Sequence, residues 1–181
     1  MPSSSNLCKE MSINYIKFML PVDGATTPQI LDVGCGCGTY YNLLSPLGYK
    51  LDGVEIFQPN IEKFELRSKY QKLYEMNAMD VPPDKHYDLV IFGDVLEHFS
   101  AEDARKILDY YKTFCDIILV SVPYELKQDV FEGNVYEIHK QPDLNDKVFK
   151  ERYPEFTKLI RETEDWLTLA VWIYDGRGMQ A

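Results

Sequence analysis

Asp32-Val33-Gly34-Cys35-Gly36-Cys37-Gly38 is the stretch whose reading decides the fold. It closes the short apolar run Gln29-Ile30-Leu31-Asp32-Val33, which reads as a buried parallel strand feeding a turn. Glycines at 34, 36 and 38 let the backbone turn sharply and approach a ligand without Cβ clashes. A helix starting there offers free N–H groups to a carboxylate or phosphate.

Outward from this turn the chain alternates. Tyr40, Leu43, Leu44 and Leu47 recur at helical intervals and predict a helix closing near Pro46 and Gly48. Tyr49 to Glu55 reads as a second strand, and Pro59, Ile61, Phe64 and Leu66 predict a helix reaching about Tyr70. Leu73 to Met76 is a third strand and Tyr87 to Phe92 a fourth. Ser100 to Thr113 is a helix, with Ser100 as N-cap and Asp103 in the capping-box position, and Ala104, Ile107, Leu108 and Tyr111 form its apolar stripe. Asp116 to Val122 is the fifth strand.

Strands alternating with helices at this spacing imply right-handed crossovers and a parallel sheet covered on both faces. The end departs from this. Phe156 to Glu162 and Trp166 to Tyr174 are strand-like runs separated by Thr163-Glu164-Asp165, too short for a crossover and right for an antiparallel hairpin.

In such a sheet, ligands bind at the carboxyl ends of strands near the point where strand order reverses. Two ligand classes fit the glycine turn. In the dinucleotide pattern G-x-G-x-x-G the last glycine falls where this chain has Thr39, so an NAD-dependent oxidoreductase is disfavoured. The spacing G-x-G-x-G preceded by Asp32, then Glu55 about 20 residues on, then Phe92-Gly93-Asp94-Val95-Leu96-Glu97-His98-Phe99 and a terminal hairpin, resembles the class I S-adenosylmethionine-dependent methyltransferases, in particular the small-molecule members.

The resemblance covers about Gln29 to Tyr174. It implies an α/β fold, a Rossmann-like class I methyltransferase sandwich whose mostly parallel seven-stranded sheet ends in a C-terminal antiparallel hairpin. It implies S-adenosyl-L-methionine as cofactor, with Asp32 and the turn Gly34, Cys35, Gly36 and Gly38 against the methionine portion and Glu55 on the ribose. Asn77 and Ala78 would face the adenine, Asn77 standing where the family usually has aspartate but still offering an acceptor. Asp94 and Val95 would line the sulfonium side.

In that chemistry the cofactor's sulfonium already makes the methyl carbon electrophilic, leaving the protein to align the acceptor and exclude water. For a hydroxyl or protonated amine a general base helps, and His98 and His139 are the candidates, His86 falling before the fourth strand at the wrong end. His139 ends Glu132-Gly133-Asn134-Val135-Tyr136-Glu137-Ile138-His139, which resembles a segment bordering the acceptor pocket in some small-molecule methyltransferases. After the fourth strand, Gly93-Asp94-Val95-Leu96 departs from the D/N-P-P-Y/F of enzymes acting on base amines. After the fifth, Ser121-Val122-Pro123-Tyr124 lacks the acids of metal-dependent catechol methyltransferases, so no catalytic metal is expected.

Composition bounds the rest. At 181 residues, 45% hydrophobic and 27% charged, one domain spanning residues 1–181 is expected, with no run approaching the ~18 apolar residues of a membrane span. A net charge of -10 works against binding a phosphate backbone, so the expected partner is a small-molecule acceptor, with neither nucleic acid nor membrane. Cys8, Cys35, Cys37 and Cys115 show no paired spacing and the start lacks a secretory pattern, which points to reduced thiols in the cytoplasm. Ile13, Ile16 and Met19 predict an amphipathic helix within residues 1–28, able to lid only part of a pocket. The acceptor site is then expected to be open, or completed by a partner protein or a second subunit as a homodimer. A noncatalytic cofactor-binding subunit is the alternative function.

Overall fold

The computed structural model describes residues 5–24 and 27–179, the side chain of Met179 excepted. Its strands are β1 (Gln29–Val33), β2 (Lys50–Val54), β3 (Leu73–Tyr74), β4 (Tyr87–Gly93), β5 (Cys115–Pro123), β6 (Thr157–Glu164) and β7 (Leu167–Asp175). They form one seven-stranded sheet in the order β3-β2-β1-β4-β5-β7-β6. β1 to β5 run parallel, while β7 lies antiparallel to both β5 and β6. The expected five parallel strands and closing hairpin are therefore present. Strand order reverses between β1 and β4, whose carboxyl ends are in register at Val33 and Phe92.

The apolar runs explain the two-sided burial, because neighbours along a strand point to opposite faces. Leu31, Val90, Phe92, Ile118 and Val120 enter one cluster, and Ile30, Leu89, Ile91, Ile117 and Leu119 the other. Helices α1 (Lys9–Met19), α2 (Thr39–Leu44), α3 (Gln58–Lys63) and α4 (Leu66–Lys69) put Ile16, Tyr40, Leu44, Ile61 and Leu66 on the second. On the first, α5 (Ala101–Tyr111) buries the predicted stripe Ala104, Ile107, Leu108 and Tyr111, and α6 (Asp146–Arg152) buries Phe149.

Several boundaries differ from the sequence reading. The helix expected from Pro59 to Tyr70 splits into α3 and α4 at Glu65, which adopts φ 51. The step from Phe64 to Leu66 is only two residues, so no continuous helix can turn both inward, and one left-handed residue resets the phase. The helix after the glycine turn tightens into a 3₁₀ turn at Ser45–Leu47, which leaves Leu43 and Leu47 exposed and makes Tyr40 and Leu44 its buried face. The third strand keeps only Leu73 and Tyr74 at the sheet edge, and the second is Lys50–Val54 rather than Tyr49 to Glu55.

Ser100 caps α5 as expected, its hydroxyl oxygen accepting from the Asp103 N–H at 3.1 Å. The capping box does not close, since the Asp103 carboxylate accepts from the Ser100 hydroxyl at 2.8 Å rather than reaching the backbone. In the hairpin, Glu164 pairs with Leu167, so the turn is Asp165-Trp166 rather than the three residues expected. Among the described residues no helix is long and apolar enough to cross a membrane. The N-terminal helix is present; residues 1–4, 25 and 26 of the expected partial lid lie outside the described residues.

Candidate active site

The glycine turn is shaped by its neighbours as much as by its own residues. Gly34 sits at φ +62, and a Cβ there would lie 2.6 Å from Val95 Cγ2, so backbone and space both demand glycine. Gly36 donates its N–H to Glu55 Oε2 at 2.9 Å. The other Glu55 oxygen accepts from the N–H groups of Ile56 at 2.9 Å and Phe57 at 2.8 Å. Glu55, at the end of β2, thus clamps the turn that ends β1. Burial raises its pKa while these three donors pull the other way.

Asp32, at the carboxyl end of β1, is 2% exposed and accepts from the Tyr70 hydroxyl at 2.7 Å. Burial dominates its titration and lifts it to about 7, against the opposing hydrogen bond from Tyr70 and the charge of Lys9. Asp94, just after β4, has φ 60, accepts from Ser121 Oγ at 2.8 Å and faces Lys9 Nζ at 3.5 Å. Lys9 is 4% exposed, and a charge that deep is tolerated only when paired.

A cavity of about 260 Å³ opens at the carboxyl ends of β1, β4 and β5. Of the candidates named from sequence, Asp32, Gly34, Cys35, Gly36, Asp94, His98 and His139 line it together. Gly38, Glu55, Asn77, Ala78 and Val95 stand outside its wall. Gly38 caps α2, Glu55 lies behind the turn, and Val95 packs on Gly34. Asn77 uses its side-chain oxygen to accept from the Met79 N–H at 2.9 Å, and the buried Ala78 carbonyl accepts from the Tyr111 hydroxyl at 2.8 Å. Among the described residues before β1, Ser5 alone reaches the cavity, so α1 does not close it.

The far wall comes from the turn after β4 and the loop after β5. His98 and His139 meet edge to face with ring centroids 4.9 Å apart. His98 Nδ1 faces the Ile138 carbonyl at 3.4 Å and His139 Nδ1 the Leu126 carbonyl at 2.9 Å. A carbonyl can only accept, so Nδ1 of His139 carries the proton and its Nε2 keeps a free lone pair, while the His98 ring faces two backbone acceptors, Ile138 and Asp94. Burial lowers both pKa values, with the His139 ring a further cause at His98, which falls to about 4. Both imidazoles are uncharged at neutral pH. Backbone N–H groups of Lys140 and Gln141 donate to the Glu97 carbonyl at 2.8 and 3.1 Å, and Gln141 Nε2 donates to the Leu96 carbonyl at 3.0 Å. These bonds latch the loop onto the turn. His86 is exposed beside Asp116, at the opposite end of β4, as its position in sequence implied.

Glu97 is the residue sequence reading passed over. It is 1% exposed, its Oε2 has no hydrogen-bond partner, and it lines the cavity. Its signal was its place in the Asp94 to Phe99 segment, but nothing local says that the carboxylate points inward. Lys9, Tyr70 and Trp166 carried no signal at all, since each reaches the site through contacts distant in sequence.

A sheet of order β3-β2-β1-β4-β5-β7-β6 with the glycine turn at its switch point is also the fold of solved methyltransferases. The N-terminal domain of EvdMO1, with SAH bound, superposes with TM-score 0.65 at 14% identity, over 96% of this chain and 82% of that one. A SAM-dependent methyltransferase from Archaeoglobus fulgidus gives 0.63 at 19%, over 93% of each. A family model described as "Methyltransferase domain" matches residues 31–113, from β1 through α5. The chain has the class I methyltransferase fold, and its residues 31–113 resemble a methyltransferase domain. The chain is also similar to the ubiquinone biosynthesis O-methyltransferase of Rickettsia typhi, 32% identical over 92 residues, which is 48% of this chain and 37% of the relative. The corresponding enzyme of Bradyrhizobium diazoefficiens is 32% identical over 74 residues, 39% of this chain and 29% of the relative. The chain therefore spans about a third of the length of these curated relatives.

Proposed function

We propose that this methyltransferase domain transfers a methyl group from S-adenosylmethionine to an oxygen of a small acceptor. The observation that carries the reading is one cavity with the glycine turn on one wall and two uncharged imidazoles on the other. The cofactor supplies an electrophilic methyl group when bound. The residues fit it: Gly34, Cys35 and Gly36 put turn backbone on the cavity wall, Asp94 borders the same cavity, and Glu55 holds the turn in place from behind through three backbone N–H groups. Asn77 and Ala78 follow β3, on the adenine side. His139 offers Nε2 to the acceptor's proton with the His98 ring edge-on beside it, while Leu126, Phe131, Trp166 and Leu167 supply an apolar wall that suits an acceptor with a planar or hydrocarbon body. Oxygen is favoured over nitrogen because the relatives of Rickettsia typhi and Bradyrhizobium diazoefficiens are named O-methyltransferases. The four cysteines are free thiols, which supports a cytoplasmic setting.

Calorimetric titration with S-adenosylhomocysteine, followed by incubation with S-adenosylmethionine and a panel of hydroxylated aromatic and aliphatic compounds, tests this. The expected result is 1:1 binding and formation of a methyl ether by mass spectrometry. Binding without turnover on any member would favour the noncatalytic subunit, and no binding would remove the reading altogether.

A further inference from the structure

We propose that the outer face of α1 is the interface of a two-fold homodimer, in which α1 of one copy packs antiparallel against α1 of the other. The helix has two apolar stripes. Ser12 and Ile16 are buried on the first, where Ile13 and Met19 also pack on the core. Met11, Tyr15 and Phe18, spaced by four and three residues, share the second. Tyr15 is half-buried along the edge nearest the core, whereas Met11 is exposed and Phe18 is 82% exposed. Val22, four residues beyond Phe18, continues the line past the end of the helix and lies against Gly48, beside the exposed Leu47. A surface helix turns polar and charged groups to solvent, and a helix apolar on both sides is one that is covered on both.

Charge names the occupant. Glu10 and Lys17 are both exposed and lie seven residues apart, so they occupy the same flank of the stripe, on either side of Asn14. Neither has an ion-pair partner among the described residues. A two-fold axis crossing the interface near Asn14 reverses the helix direction while keeping each flank on its own side. It therefore sets Glu10 of each copy against Lys17 of the other, and Met11 of each against Phe18. One operation satisfies two unpaired charges twice and covers the apolar stripe with itself, which is the self-complementarity that an isologous interface requires. The net charge of -10 opposes association of copies, but this flank is locally neutral and screening over ~8 Å at physiological ionic strength limits the reach of charges elsewhere. The same net charge disfavours an anionic lipid surface as occupant.

The sequence led to a second copy at the acceptor site. This face lies elsewhere, since Ser5 alone among the described residues before β1 reaches the cavity, so the dimer leaves the acceptor site open and stands independently of the methyl-transfer reading. With 11 residues α1 is only ~16 Å long. A pair of such helices with Val22 and Leu47 at its ends is small beside the ~800 Å² per partner of a standard interface, so association is expected to be reversible.

Sedimentation velocity of the full chain, from sub-micromolar to sub-millimolar concentration at physiological salt, tests this. Monomer is expected to convert to a species of twice the mass. Phe18→Glu should weaken the dimer at least about tenfold, and Val130→Glu, on the exposed loop after β5, should leave it unchanged. Glu10→Lys alone and Lys17→Glu alone each place like charges across the axis and should weaken it about three- to tenfold. The double variant should restore it, and an equimolar mixture of the two single variants should recover it as a heterodimer. A native chain that stays monomeric throughout overturns the proposal, as does a dimer that Phe18→Glu leaves intact. A dimer indifferent to both charge swaps overturns the antiparallel pairing. A monomer that floats with phosphatidylcholine vesicles would assign the stripe to a lipid surface instead. All four substituted positions are exposed, circular dichroism checks that each variant is folded, and should Phe18→Glu fail to fold, the charge-swap series decides.

Discussion

The Tyr70 hydroxyl donates to Asp32 Oδ2 across 2.7 Å, fastening the residue after α4 to the carboxyl end of β1. Strand and helix are 38 residues apart in sequence, and the bond fixes the direction of the one carboxylate that precedes the glycine turn.

That carboxylate makes stability depend on pH. Asp32 is lifted from 3.8 to about 7, so across this window the folded chain holds a proton that the unfolded chain has released. Stability contributed at this residue therefore falls as pH rises from about 4 to about 7 and levels off above. Asp32→Asn keeps an acceptor for Tyr70 and has no proton to lose. Its stability relative to the native chain should climb by up to about 1.4 kcal/mol per pH unit and then stay constant. Urea unfolding at pH near 6, 7 and 8 checks this; a difference independent of pH would show that Asp32 is ionised throughout.

Gly34→Ala meets two obstacles, the 2.6 Å approach to Val95 Cγ2 and a φ of +62. A loss of about 1–3 kcal/mol is expected, with S-adenosylhomocysteine affinity falling at least tenfold. Adding Val95→Ala removes the clash but not the backbone strain, so thermal melts should recover part of the loss and leave ~1–2 kcal/mol behind. Full recovery would mean that only space matters at this position.

Glu55→Gln turns one of two accepting oxygens into a donor facing backbone N–H groups, which come from Gly36 on one side and from Ile56 and Phe57 on the other. Chemical denaturation should register a loss of about 1–3 kcal/mol, and calorimetry a weaker cofactor complex. A variant as stable as the native chain with unchanged cofactor affinity would show that the clamp is dispensable.

Trp166 lines the cavity from the hairpin tip while remaining 78% exposed. Little packing is lost on truncation, so Trp166→Ala should change stability by no more than about 0.5 kcal/mol and leave S-adenosylhomocysteine binding intact. Its effect should fall on the acceptor, as a raised KM in steady-state assays. A change in cofactor affinity with the acceptor KM unmoved would place the residue on the other side of the cavity.

Legibility followed distance along the chain. Ala104, Ile107, Leu108 and Tyr111 were readable as a buried stripe because helical periodicity is local. The parallel strands were readable because two-sided burial requires near-continuous apolar runs such as those of β4 and β5. The split at Glu65 was missed because an apolar pattern alone does not show where a left-handed residue will be tolerated. Within the site, the glycine turn, Asp94, His98 and His139 were legible as motif positions, and the cavity collects them apart from Gly38. Lys9 was not, since nothing in Cys8-Lys9-Glu10 distinguishes it from any surface lysine until the fold sets it against Asp94, 85 residues away.

By itself the sequence determined the alternation of strands and helices, the tight turn after β1 and the closing hairpin, because glycine positions and apolar periods act over a few residues. Only the tertiary structure decided how the site is built: Glu55 on the Gly36 amide, Tyr70 on Asp32, Lys9 buried beside Asp94, and Glu97 aimed at two imidazoles with an oxygen left unpaired. Each of these joins segments that the sheet order brings together, and the cost of burying an unpartnered polar group is set by that enclosure rather than by neighbours in sequence.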